Sequence, residues 1–486
     1  MKQNIIRKGR LADFDEQALQ FTSSIAADAW FFRYDILIDL AHVAMLKKQN
    51  IIAQTTFEAL TGALLKIKDL GYSKLPRGVD DLHVAIETAL TERAGSAQAG
   101  WLHVGRSRND EVATCIRMAL RHDLLVLTDA VLALQDTLLE RSASNATTIM
   151  PGFTHLQHAQ PTTLGHHLLA HYDALDRDLA RLDNSYERTN QSPLGAAAFA
   201  STAWPLDRDF VASALGFDST VENSMDAVST RDFAIEALAA ASNVMITLSR
   251  LAEELILWST SEFGYVELDD KFASTSSIMP QKKNPDTLEL IRAKTGSVIG
   301  DFTASVIICK ALPFSYNLDL QEITPHLRQA FATTTDCARI ANAVLETISV
   351  DSQRLAEMSS VGFTTATELA DTITRAAHVP FRTAHTIVAD LARVGTCDLD
   401  AIDEVALRHL GKPLSLLGLT TDDVEKALDV NMNIAKRDIS GGPAASQLKR
   451  MLKARRSRHR RRRQRLLQRQ TTLETAEENL LKGSRA

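Results

Sequence analysis

The chain has 486 residues, of which 45% are hydrophobic and 23% charged, with a formal net charge of −6. This is the composition of a soluble globular protein with a sizeable core. Twelve prolines and 21 glycines are few for this length, which argues against a turn-rich β fold. Cys115, Cys309, Cys337 and Cys397 are far apart, with no CxxC and no Cys/His cluster. They read as reduced thiols of a cytoplasmic protein, not disulfides or metal ligands. The N-terminus, MKQNIIRKGRLADFDEQ, lacks the apolar run of a signal peptide. The richest apolar stretch, Ala237 to Trp258, contains Arg250, Glu253 and Glu254, so no membrane span is expected.

In chain order, residues 1–105 read as a smaller helical region. Residues 106–354 read as a bundle of long helices. After Asn109 an apolar stripe runs through Val112, Ile116, Leu120, Leu124, Leu127, Val131, Leu134 and Leu138 in steps of three and four. A second stripe follows Pro161, from Leu164 to Tyr186, and a third follows Arg231, from Ile235 to Trp258. A fourth helix is expected at Pro285, with Asn284 as its N-cap. A fifth is expected from Thr324 to Ser349. Residues 355–448 read as a third helical region with more loop signals, such as Gly362, Pro380, Gly411 and Gly441. From Lys449 to Arg469 there are twelve Lys/Arg and no acid, which leaves −18 on the rest of the chain. The stretch 449–486 therefore reads as a basic tail, disordered or helical and solvated. Its functional alternative is weak, salt-sensitive binding to nucleic acid.

Polar sequence interrupts the helical pattern four times. His103-Val-Gly-Arg-Ser-Arg-Asn-Asp110 precedes a helix, where free N–H groups and arginines suit a carboxylate ligand; it also reads as a simple capping loop. Gly152 to Thr163 holds histidines among hydroxyls and amides, suited to proton transfer or to plain structural hydrogen bonding. Ser274 to Pro285 is a hydroxyl- and lysine-bearing loop before a helix start, suited to an anion and to movement. Phe314 to Glu322 carries Tyr, Asn and Gln that fit a polar substrate or a helix end equally well.

Ser276-Ser-Ile-Met-Pro-Gln-Lys-Lys-Asn-Pro285 resembles the signature loop of the fumarase/aspartase family, and the first two segments resemble that family's other shared regions in the right order. Gly105-Arg-Ser-Arg-Asn-Asp110, Met279 to Asp286, Asn223 to Val228 and Asp319-Leu-Gln-Glu322 are similar to its argininosuccinate lyases. The resemblance spans residues from about 9 to 448. It implies an all-α, fumarase/aspartase-like fold and an anti elimination that splits argininosuccinate into arginine and fumarate. No cofactor or metal is implied. It assigns Ser276 as base, His155 to the leaving-group proton, Glu289 as partner of His155, and Lys282 to the carboxylate that gains charge. Substrate contacts fall to Ser24, Asp28, Ser107, Arg108, Asn109, Thr154, Ser277, Asn284, Tyr316 and Gln321. The exchanged labelling of Ser276 and His155 stays open. These groups are scattered along the chain, and the resemblance brings them together in a homotetramer whose sites draw on three subunits.

Some positions depart from the family pattern. Thr275 stands where a glycine is usual, and a β-branched residue resists positive φ. Ala196-Ala197 stands for Ser-Gly, Thr230 for an aspartate, and Val104 for a threonine. Ile323-Thr324 stands for Asp-Lys, which removes one cation. A lost charged contact costs about 1.5–3 kcal/mol of binding. Two alternatives follow: a lyase for another N-substituted aspartate, and a non-catalytic relative of the lens-crystallin kind.

Overall fold

The computed structural model describes residues 15–485. Residues 1–14, most of the stretch read above as free of a signal peptide, lie outside them. The elements that position the site are α1 (Phe32–Lys48), α2 (Leu82–Ala94), α3 (Arg108–Ser144), β1 (Ile149–Thr154), β2 (Gln157–Thr163), α4 (Leu164–Thr189), α5 (Asp232–Trp258), β3 (Ser274–Thr275), β4 (Lys283–Asn284), α6 (Asp286–Cys309), α7 (Ile323–Thr347) and α8 (Ala445–Gly483).

The bundle follows from the stripes. At about 1.5 Å per residue α3 is about 55 Å long, and its apolar face is buried against α4 and α7. α5 packs on α4, α6 and α7 and buries residues on most of its circumference, including Phe233, Leu238, Met245 and Leu255. By length and composition α5 is long and apolar enough to cross a bilayer, contrary to the expectation from its charged residues. Yet 56% of its most apolar window is buried inside the protein, the environment of a core helix. α3 starts on a capping box: Ser107 Oγ accepts from the Asn109 N–H, and the Asp110 carboxylate accepts from the Ser107 N–H. Gly165 lets the start of α4 sit on the end of α3, where a Cβ would lie 2.4 Å from the Ser142 carbonyl oxygen.

The expected N-cap of α6 is corrected. Asn284 lies in β4 and donates to Ser274 Oγ (3.3 Å), and the helix starts at Asp286 behind Pro285 without a side-chain cap. Thr275 does not meet the expected difficulty, because it lies in the extended strand β3, paired with Lys283, and its φ is not positive.

Two large cores organise the chain. The first runs from Phe31 to Leu480 and joins α1, the bundle and α8. The second is formed by residues 369–427 alone, around Leu369, Ile387, Leu391 and Val405.

The basic tail is a packed helix, not a solvated appendage. Leu448, Leu452, Leu466 and Leu480 of α8 join the main core. Its arginines pair with acids of α3 and α4: Arg458 with Asp176 at 2.6 Å, Arg462 with Asp183 at 2.8 Å and Arg469 with Asp183 at 2.8 Å, and the buried His459 ring lies 2.8 Å from Asp136. Arg455 with Asp173 and Arg463 with Asp129 continue the ladder. The acidic body and the basic helix are thus complementary halves of one domain.

Candidate active site

Three places hold the residues singled out from sequence. The first is a cleft of about 120 Å³ where the N-terminal region meets the bundle. Ser24, Asp28, Arg108, Asn109, Tyr316 and Gln321 all line it. Asp28 is 4% exposed and accepts from Ser24 Oγ (2.7 Å) and from the Leu82 N–H (3.2 Å). Burial pushes its carboxyl up to about 6, against the lowering effect of Ser24 and nearby His83. Arg108 donates to Asp81 at 2.6 Å. Gln321 Nε2 donates to the Thr22 carbonyl at 3.2 Å. Ser107 serves as the helix cap instead of the cleft wall.

The same cleft contains three residues that sequence reasoning missed: Asp81, His83 and Arg231. Arg231 was used only to mark a helix start. It is 3% exposed; its Nη1 donates to the Val228 and Thr230 carbonyls, while its Nε and Nη2 have no partner. Buried guanidinium nitrogens without an acceptor are costly, and Arg231 carries two of them at the wall of this cleft. Thr324 also lines the cleft, so the cation absent at that position leaves two guanidinium groups there, Arg108 and Arg231.

A buried charge network supports this wall. Arg106 pairs with Asp39 (2.6 Å) and Glu111 (3.0 Å), and His83 Nδ1 lies 2.9 Å from Asp35. Burial favours neutral Glu111, but Arg106 and His83 overcome it and hold the carboxyl well below its usual range. Burial likewise opposes charge on His83, and Asp35 and Glu111 overcome it, so the imidazole is raised well above its ordinary value. One level up, the Asp110 carboxylate accepts from the Gly195 and Ala197 N–H groups at 2.9 Å each, fixing the loop behind Asn109.

The second place is the tip of the β1–β2 hairpin, which sequence reading took for an irregular polar segment. Thr154 pairs with Gln157, so His155 and Leu156 form a two-residue turn. Their φ values are +56° and +57°, the geometry in which glycine or asparagine is usual. A left-handed residue with a Cβ costs about 1–2 kcal/mol, and strain of this kind concentrates at functional sites. Thr154 and His155 are exposed.

The third is the loop from 276 to 282, carried on the two-residue ribbon β3–β4. The ribbon is tied down by Ser274 Oγ donating to Asp286 and by Thr287 Oγ1 donating to the Phe272 carbonyl (2.8 Å). In the loop, Ser276 Oγ accepts from the Met279 N–H (3.1 Å) and the Ile278 N–H (3.3 Å). Ser277 and Lys282 are exposed at its surface. Lys282, Asn284 and Glu289 line a second, more open depression. The expected His155–Glu289 pair is not made within the chain: neither side chain has a hydrogen-bond partner among the described residues. The three places remain separate, since Ser276, His155 and Lys282 do not line the Ser24 cleft.

A family profile described as Lyase matches residues 11–300, and one described as Argininosuccinate lyase C-terminal matches residues 363–435. The argininosuccinate lyase of Methanococcoides burtonii is 52% identical, covering 94% of this chain and 93% of its own length. That of Methanothrix thermoacetophila is 49% identical, covering 99% and 98%, so the similarity to that relative extends past residue 448 into the basic stretch. Among solved structures, EDDS lyase in complex with formate superposes with a TM-score of 0.87 at 31% identity, covering 99% of this chain and 97% of that one. On this evidence the chain belongs to the argininosuccinate lyase family of fumarase/aspartase-type lyases.

Proposed function

We propose that the chain cleaves argininosuccinate into L-arginine and fumarate at sites completed between the subunits of a homotetramer. It is a carbon–nitrogen lyase, as its relatives at about half sequence identity are. The observation that carries the reading is the cleft itself. Six residues chosen from sequence, spread from Ser24 to Gln321, line one cleft together with Arg231. Its two guanidinium groups, Arg108 and Arg231, suit a succinyl carboxylate.

In the proposed elimination, Ser276 removes a proton from the carbon beside one carboxylate. The electrons collect on that carboxylate as an aci-carboxylate dianion. They then return to form the double bond as the C–N bond breaks, and the departing guanidino nitrogen takes a proton from the His155 side. The main demand is to stabilise the dianion. Lys282 and Asn284 provide donors for it, and Arg108 with Arg231 holds the other carboxylate. The Ile278 and Met279 N–H groups aimed at Ser276 Oγ support its role, because donors at that oxygen favour the alkoxide a base requires.

The separation of the three places within one chain supports assembly. So do Ile299, Val306 and Ile307, which are 37–54% exposed and fall on one side of α6 at 3.6 residues per turn, an apolar strip suited to a second copy. The four free cysteines fit a reducing compartment such as the cytoplasm.

Thr324 in the cleft wall favours one second reading, a lyase for a different N-substituted aspartate. Incubation with argininosuccinate, with both products identified, decides between them. Fumarate and arginine in equal amounts are expected. Fumarate from another aspartate adduct, with none from argininosuccinate, would overturn the substrate assignment.

A further inference from the structure

We infer that α4 and α5 carry a site for a divalent transition-metal ion, formed by His167, His171 and Glu254 and separate from the lyase cleft. The two histidines are four residues apart, so they share one face of α4, and α5 packs against that face and brings Glu254 between them. Each Nε2 lies 2.7 Å from the same Glu254 Oε2. The three donor atoms lie within 4.8 Å of one another. A tetrahedral ion with bonds of about 2.0–2.2 Å holds its ligand atoms roughly 3.3–3.6 Å apart, so side-chain rotations that move the ligand atoms by about an ångström admit it.

The surroundings suit an ion with an open coordination position. The His167, His171 and Glu254 side chains are 27%, 10% and 35% exposed, which gives water access to the remaining position. Trp258 meets the His167 ring edge-on at 5.0 Å and limits its rotation. The neighbouring His166 is not a ligand, since its ring is committed to Thr162 Oγ1 and the Gly441 carbonyl. No hydrogen bond engages Nδ1 of either ligand imidazole among the described residues, so each can carry its proton there, with water as its acceptor, and present a bare Nε2 to the metal. Two imidazoles and one carboxylate select zinc, copper or nickel over magnesium and calcium, which require mostly oxygen ligands.

None of the three residues lines the Ser24 cleft or the depression at Lys282. The ion is therefore a clip between two bundle helices, close in sequence to the hairpin that carries His155. The test is a calorimetric titration of chelator-treated, full-length protein with zinc chloride, alongside cobalt(II) as a spectroscopic probe. One zinc per chain is expected, with a rise in Tm on saturation and the visible absorption of low-coordinate cobalt. His167→Ala and Glu254→Gln should each weaken binding by at least about tenfold and leave metal-free fumarate release unchanged. The site is ruled out if zinc does not saturate, or if the double variant His167→Ala/His171→Ala binds as wild type does. Should that variant fail to fold, Glu254→Gln alone decides, since it keeps the side-chain shape.

Discussion

The Ser24 cleft and the Ser276 loop are built by opposite means. The cleft has a buried floor, with Asp28 held by two donors and Arg231 by two carbonyls, and a network of buried charges adjoins it through His83. The loop stands on a ribbon of two residue pairs, and its Lys282 and Ser277 reach solvent. Groups that bind a carboxylate gain from a rigid setting, because donors fixed in advance need no reorganisation as charge develops. A group that must admit substrate and then exclude water gains from mobility. In the proposed assembly, one chain preforms the binding half of a site and lends its proton-transfer half to another.

The largest effect tests that division. Ser276→Ala should lower kcat by about 10³-fold with little change in Tm, because the side chain only orders its own loop. Arg108→Ala should also be nearly inactive. Mixed and reassembled, the two inactive variants should regain a fraction of wild-type fumarate release, since some sites then draw an intact cleft from one chain and an intact loop from the other. Mixtures as inactive as their components would place both halves in a single chain.

The next effect belongs to the cleft alone. The Asp28 carboxyl is raised to about 6 from an ordinary 3.8. The folded state therefore holds the proton more tightly, and the associated stability is present below pH 3.8 and is lost as pH rises through 6. Two pKa units correspond to about 3 kcal/mol. Asp28→Asn, which cannot ionise, should gain stability relative to wild type between pH 4 and pH 7. Parallel denaturation midpoints across that range would show that Asp28 carries no such penalty.

Arg231→Met sharpens the comparison further. It removes the two unpaired donors and keeps the apolar stem. KM should rise by roughly tenfold or more, the worth of a charged hydrogen bond of about 1.5–3 kcal/mol, while the fold gains from losing buried unsatisfied N–H groups. An unchanged KM together with a lowered Tm would make Arg231 a structural residue only.

These contrasts also explain what could be read from the sequence. The long helices were legible because their stripes are continuous: α3, α4 and α5 begin within a few residues of where the periodicity starts. The hairpin at His155 was not, because its turn carries His-Leu in place of the Asn-Gly that marks such turns. Ser24, Asp28, Arg108, Asn109, Tyr316 and Gln321, which the family resemblance implies as substrate contacts, do share a cleft. Arg231 and His83 belong to none of the four polar segments singled out; each lies at or near a helix start, where polar residues such as Ser229, Thr230, Asp80 and Asp81 read as capping, and only tertiary packing brings it to the cleft. The tail was misjudged because charge density was read along one segment. Its partners Asp129, Asp136, Asp173, Asp176 and Asp183 are spread over two helices some 300 residues earlier, and no local pattern announces such pairing.

The smallest expected effect concerns the loop behind the cleft. Ala197 takes φ +53° at a position where the family pattern has glycine. Its N–H is held by the Asp110 carboxylate at 2.9 Å, so the backbone cannot relax without losing that bond. The left-handed conformation costs a residue with a Cβ about 1–2 kcal/mol, whereas glycine adds about 0.4–1 kcal/mol of unfolded-state entropy. Ala197→Gly should therefore stabilise the chain by roughly 0.5 kcal/mol. Because Asp110 anchors the N-terminal turn of α3, which positions Arg108 and Asn109, KM should stay within a factor of two while the denaturation midpoint rises slightly. A destabilised Ala197→Gly would mean that the turn draws its hold from the alanine methyl group, and that this wall of the cleft is less rigid than its hydrogen bonds imply.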